Sequence, residues 1–248
     1  MKKIIVITLL TVSSLFGGTI NIAVAANVSY AIDTINKEFN KLYPDTKVRV
    51  ILGSSGKLTA QIRNGAPYQL FMSANMKYPD ALFKNGSAIT SPQVYVLGSL
   101  AFLSVKKQDF EKGINLVLSD TISKIAIANP KSAPYGIATF EALKNAKLLD
   151  RVKSKFIYGE SISQTVSYTV TAADIGFIAK SSLYSKNMKQ FKKDINWVEV
   201  DSKLYTPISQ GIVILKEGSR NSEVKNYYDF ILSSKAKKIF VDFGYAVP

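Results

Sequence analysis

The sequence predicts an α/β protein of two lobes with a ligand cleft between them, each lobe a mostly parallel sheet flanked by helices. Three observations predict it. Apolar runs of strand length alternate with stretches of helical period, which is the grammar of a sheet covered by helices. That grammar restarts after about residue 106. The 248 residues suffice for two lobes of roughly 100 to 120 residues each, and no low-complexity linker holds them apart, so a close-coupled pair is expected.

Ile20 to Ala26 is a near-continuous apolar run, as expected of a strand covered on both faces. Ala31, Ile32, Ile35, Phe39 and Leu42 follow at helical spacing, and Pro44 ends that helix. Val48 to Leu52 reads as a second strand, and Leu58 and Ile62 mark a short helix closed by Gly65. Gln69 to Ser73 is a third strand and Val94 to Val105 a longer one. In the second half, Ile125 to Ala128, Lys155 to Tyr158 and Ile175 to Ile178 read as strands, with helices over Ile137 to Ala146 and Ile162 to Val170 between them. Gly211 to Leu215 is a last strand, followed by a helix carrying Val224, Tyr227, Tyr228 and Ile231. The pattern of this final stretch allows it to join either lobe. The division adopted is 19–100 with 207–248 for the first lobe and 101–206 for the second, with hinge strands near 99–104 and 207–211.

Residues 1–18 have a charged start, an apolar run from Ile4 to Val12 and small residues at Gly17 and Gly18. The run is too short to span a bilayer, so it reads as a secretory signal. The small residues Ala23 and Ala25 would also suit a cleavage site, but cutting there destroys the first strand, so a cut near Gly17 or Gly18 is expected. The mature protein is then periplasmic or otherwise secreted, and a monomer. The absence of both cysteine and histidine removes disulfides, Ser-His-Asp and Cys-His catalysis, and every metal site built from His or Cys. The formal charge of +14 is carried by dispersed lysines such as Lys144, Lys147, Lys153 and Lys155. In a secreted chain this suits a solvated basic surface that attracts small anions, not a nucleic-acid partner.

Open α/β sheets bind ligands at the carboxyl ends of their strands, where helices begin. Four such junctions stand out: Ala26 to Ser29, Gly53 to Lys57, Asn129 to Gly136, and Gly159 to Ser163. Ser and Asn there are ordinary helix caps, yet they and the first-turn N–H groups can also face one anion. Two junctions fall in each half of the chain, so paired across a cleft they form a clamp. Gly53-Ser54-Ser55-Gly56 fails the spacing of the hydrolase elbow. A Ser-Lys hydrolase using Ser55 and Lys57 is the alternative of a different class.

From about Asn21 to the C-terminus the chain resembles the periplasmic molybdate-binding proteins of ABC transporters. The resemblance is carried by Gly53 to Ile62, Asn64 to Asn75, Asn129 to Gly136, and the closing Phe230 to Tyr245. It implies a tetrahedral oxyanion, molybdate or tungstate, held through hydroxyls and main-chain amides without a cofactor, and delivered to an ABC permease. Position by position it implies Asn27, Ser54 and Ser55, Tyr135 by amide or hydroxyl, and the amide of Ile162, with the molybdenum or tungsten of the oxyanion held through these same residues. Many members have Ser at the place of Asn27 and Tyr at the place of Ala179, with a small residue at the place of Tyr135. The exchange implies that Tyr135 supplies the phenol that Ala179 lacks.

Neutral donors suffice because each helix start carries roughly half a positive charge. Hydrogen phosphate would want an acceptor, for which Glu160 is the nearest candidate, so a fully deprotonated anion is expected. Sulfate is the alternative oxyanion, separated from molybdate by pocket volume.

Overall fold

The computed structural model describes residues 18–248. The expected signal segment lies outside the described residues except for Gly18, which already belongs to the fold. The Gly18 N–H donates to the Glu223 carboxylate at 2.9 Å and its C=O accepts from Lys47 N–H at 3.0 Å.

Strand β1 (Thr19–Ala25) leads through a short 3-10 turn (Ala26–Tyr30) into α1 (Ile32–Asn40), and β2 (Lys47–Gly53) into α2 (Ser55–Arg63). Then come β3 (Leu70–Met72), α3 (Lys77–Lys84), β4 (Gln93–Gly98) and β5 (Leu100–Leu103). The second half runs β6 (Ile125–Ala128), α4 (Pro134–Asn145), α5 (Leu149–Val152), β7 (Phe156–Gly159), α6 (Ile162–Thr171), β8 (Ile175–Ala179) and β9 (Trp197–Glu199). The chain closes with β10 (Ile208–Ile214), α7 (Ser222–Leu232) and α8 (Ser234–Asp242).

The strands form two five-stranded sheets, ordered β2-β1-β3-β10-β4 and β7-β6-β8-β5-β9. Both are mixed. In the first, β10 runs antiparallel to β3 and β4; in the second, β5 runs antiparallel to β8 and β9. The opposed strand of each sheet is the one that has just crossed from the other lobe. The two halves therefore share one plan that no repeat of residues betrays.

The strand expected over Val94 to Val105 is two strands in two sheets, parted at Ser99. Apolar residues on both sides of Gly98 and Ser99 read as continuous, because periodicity records burial and not which sheet does the burying. The expected Ile137 helix starts earlier, with Pro134 in its first turn, where a missing N–H costs nothing. That shift places Tyr135 inside the first turn of α4. Leu42, expected on the buried face of the first helix, lies beyond α1 and is exposed.

Each sheet is buried by its helices. Phe39 of α1 packs edge-on against Tyr227 and Phe230 of α7, with ring centroids 4.9 and 5.5 Å apart. In the second lobe Phe102 lies against Phe177 at 4.6 Å. Strand β1 sits between β2 and β3 with its last four residues buried, so a chain cut after Ala25 would lose an inner strand of its first sheet.

Candidate functional site

At the carboxyl end of β1 the chain turns through Asn27, which is buried. Its Nδ2 donates to Gln210 Oε1 at 2.8 Å and to Tyr245 OH at 3.0 Å. Its C=O accepts from Tyr245 OH at 2.8 Å and from Ser181 Oγ at 3.1 Å. Its Oδ1 has no partner among the described residues.

At the end of β2, Ser54 precedes the first turn of α2 with extended backbone, and Ser55 opens that turn. Both are buried. Ser55 Oγ accepts from Ala74 N–H at 2.9 Å, which leaves the serine hydrogen free to donate. Ser54 Oγ has no partner among the described residues.

Across the cleft, Tyr135 stands in the first turn of α4, where Pro134 has no N–H and the Gly136 and Ile137 N–H groups donate back to the Ala133 C=O at 2.9 and 3.2 Å. The phenol is buried and its oxygen accepts from Gln210 Nε2 at 3.2 Å. Burial pushes the Tyr135 pKa well above its ordinary value, with the neighbouring Tyr245, Tyr95 and Tyr205 adding to the rise. The phenol therefore keeps its proton. Ile162 opens α6, which Ser161 caps by accepting from Gln164 N–H at 3.3 Å.

Hydrogen bonds between the lobes bring these junctions together. Ser163, next to Ile162, donates to the C=O of Ala26 at 2.7 Å, next to Asn27. Gly56, next to Ser55, donates its N–H to the C=O of Ser132 at 2.9 Å, at the approach to α4. Asn27 and Tyr135 meet on the two ends of the Gln210 amide. Ala25, Ala26 and Ala74 of the first lobe share one apolar cluster with Tyr135, Ile162 and Ala179 of the second. A groove of about 340 Å³ opens between the starts of α2 and α6, lined by residues that include Ser54, Lys57, Glu160 and Ser161.

Among the described residues no Lys, Arg, Asp or Glu is buried, and no cluster of acidic side chains suits a metal cation. Lys57 Nζ lies 3.4 Å from Glu160 across the mouth, with both side chains more than half exposed. That pairing directs Lys57 to Glu160, where it makes no hydrogen bond to Ser55, and turns the Glu160 carboxylate toward solvent.

Sequence reasoning missed Gln210 and Gly98. Gln210 is fully buried in β10, where the expected strand began one residue later, at Gly211. A Cβ at Gly98 would collide with Tyr135 OH and Gln210 Nε2. Neither residue lies at a strand-to-helix junction, so the rule that found the others passes over both.

Two lobes joined by two crossings, with helix starts and neutral polar groups converging between them, define the class of two-lobed solute-binding proteins. The chain belongs to the bacterial extracellular solute-binding protein family, whose sequence pattern matches residues 20–246. It is 32% identical over 232 residues to the molybdate-binding protein ModA of Azotobacter vinelandii, covering 92% of this chain and 90% of that one. It is 33% identical over 231 residues to the molybdate-binding protein ModA of Rhodobacter capsulatus, covering 92% and 88%. The solved periplasmic molybdate-binding protein of Azotobacter vinelandii superposes with a TM-score of 0.85 at 29% identity, covering 92% of this chain and 99% of that one.

Proposed function

We propose that this protein captures molybdate or tungstate between its lobes outside the cytoplasm and delivers it to an ABC permease, with no catalytic step. One observation carries the reading: the converging helix starts present buried neutral donors and no buried charged side chain. A dianion taken out of water must have its oxygens saturated with donors, and first-turn N–H groups with Ser and Tyr hydroxyls supply them together with the fields of the helices. The proposed set is Asn27, Ser54, Ser55, Tyr135 and the amide of Ile162. The 32% and 33% identity to two molybdate-binding relatives over 92% of this chain supports molybdenum or tungsten as the centre of the anion.

Glu160 lines the groove only at its mouth, paired with Lys57 and exposed, so no buried carboxylate favours a protonated ligand. The unpartnered Asn27 Oδ1 is a neutral acceptor and gives hydrogen phosphate a specific observation in its favour. Calorimetric titration with molybdate and with phosphate separates these cases, the proposal expecting heat of binding from molybdate and none from phosphate. Wild-type protein is expected to bind molybdate, and Ser55→Ala to lose about tenfold to a hundredfold in affinity, the worth of one hydrogen bond to a charged group. Unchanged affinity in Ser55→Ala would remove Ser55 from the site. Turnover of an ester substrate by the wild type, lost in the same variant, would favour the hydrolase.

A further inference from the structure

We propose that Gln210 is a positioning residue that fixes the direction of the hydrogen bonds at the site and so turns the Tyr135 phenol into a donor toward the anion. This rests on the oxyanion reading above.

Gln210 is fully buried on β10, the strand that returns to the first lobe. Its side-chain amide touches three polar groups from three other elements. Oε1 accepts from Tyr95 OH of β4 at 3.0 Å and from Asn27 Nδ2 at 2.8 Å, and Nε2 donates to Tyr135 OH of α4 at 3.2 Å. The register of β10 on β4 slips here: Gln210 faces Val96 while Gly211 faces Val94. Tyr95 is thus the residue left over on β4, and a bulge of this kind re-aims a side chain.

The direction of the amide follows from Tyr95. That hydroxyl is completely buried, and Gln210 Oε1 is the acceptor the structure gives its proton. Reversing the amide would strand that proton in the core, at the cost of an unsatisfied buried donor. With Oε1 held toward Tyr95 and Asn27, Nε2 is left facing Tyr135. The phenol oxygen accepts that bond, so its own proton points away from Gln210 and is available to an anion oxygen. A carboxylate at position 210 would do the opposite: it would accept from Tyr135 and withdraw the donor. Gln210 also ties a side chain of the second lobe to the first, so the orientation of the donor is set as the lobes meet.

Two variants test this with molybdate as the probe. In Gln210→Glu burial raises the pKa of the new carboxyl, which is located by following its own carboxyl resonance against pH; it is ionised above that pKa and protonated below it. The titratable groups around it, Tyr95, Tyr135 and Tyr245, are all pushed above their ordinary range by burial and stay neutral throughout. Gln210→Glu should bind about tenfold or more weakly than wild type above the pKa so located and recover toward it below, where the neutral acid can again donate to Tyr135. Wild-type affinity should stay flat. Gln210→Met, which has no amide, should weaken binding in the wild-type background and add nothing to Tyr135→Phe.

Simple structural damage would show neither the recovery nor the loss of additivity. Wild-type-like affinity of Gln210→Glu with its carboxyl ionised, or additive losses in the double variant, would overturn the proposal. A ligand-free readout separates it from the oxyanion reading: the Gln210 side-chain amide resonance should shift in Tyr135→Phe. If wild type ignores molybdate yet that resonance shifts, the oxyanion reading fails while the contact stands; if wild type binds and the resonance is unmoved, Gln210 does not act through Tyr135.

Discussion

Tyr135 combines a buried phenol with a place in the first turn of a helix, so it can offer an anion both a hydroxyl and a main-chain amide. Burial raises its pKa, and this sets a pH dependence with a definite sign. Below the ordinary tyrosine value near 10 both folded and unfolded chains keep the proton, so the residue gives stability no slope. Above that value the unfolded chain releases its proton first, and the folded state loses stability as pH rises. Molybdate affinity should accordingly stay level from about pH 6 to about pH 9, while urea melts show stability falling above about pH 10, less steeply in Tyr135→Phe. A loss of affinity near neutrality would mean a different donor dominates. The places of Asn27, Ser54, Ser55, Tyr135 and Ile162 in the fold were legible because each stands where a strand gives way to a helix or turn. Gln210 was not, because its only mark in the sequence is a polar residue entering an apolar strand.

Among the elements, the helix starts carry the site and the sheets set their convergence. The apolar runs showed most of the strands, since burial on both faces leaves a plain record in composition. They did not show α3, β9 or α8, nor the parting of β4 from β5. The sheet a strand joins is decided by pairing across long separations, such as Ile208 opposite Gly98. Gly98 shows how tightly an element constrains the site, since it ends β4 directly beneath the Tyr135 phenol and the Gln210 amide. Gly98→Ala should push those groups apart, costing about 1 to 3 kcal/mol in stability and weakening molybdate binding in the same variant. Chemical denaturation and titration measure the two effects. A variant with wild-type values for both would show that the packing there is loose.

For the whole molecule, the described residues hold the closed arrangement by hydrogen bonds between lobes, by the apolar cluster that joins Ala25, Ala26 and Ala74 to Tyr135, Ile162 and Ala179, and by the exposed Lys57–Glu160 ion pair. The Lys57 and Glu160 side chains are 59% and 77% exposed, so their pairing contributes little, and on the proposed function a bound anion adds to the closure energy. On the proposed function the basic charge of the chain, +14 in full with two of those charges on Lys2 and Lys3 of the expected signal, speeds capture of a dianion, while the neutral donors between the lobes set its affinity. The two-lobed plan was legible from the restart of the pattern alone; the lobe that takes the final strand was not, because β10 carries apolar residues that would suit either sheet. The central claim is that this cleft selects a fully deprotonated tetrahedral oxyanion of molybdate size. Thermal unfolding with molybdate, tungstate, sulfate and phosphate at matched concentrations tests it most directly. The account predicts that molybdate and tungstate stabilise the protein, by about 2.7 kcal/mol at 100 times the dissociation constant, with sulfate well behind and phosphate without effect. Stabilisation by phosphate alone, or by none of the four, would contradict it.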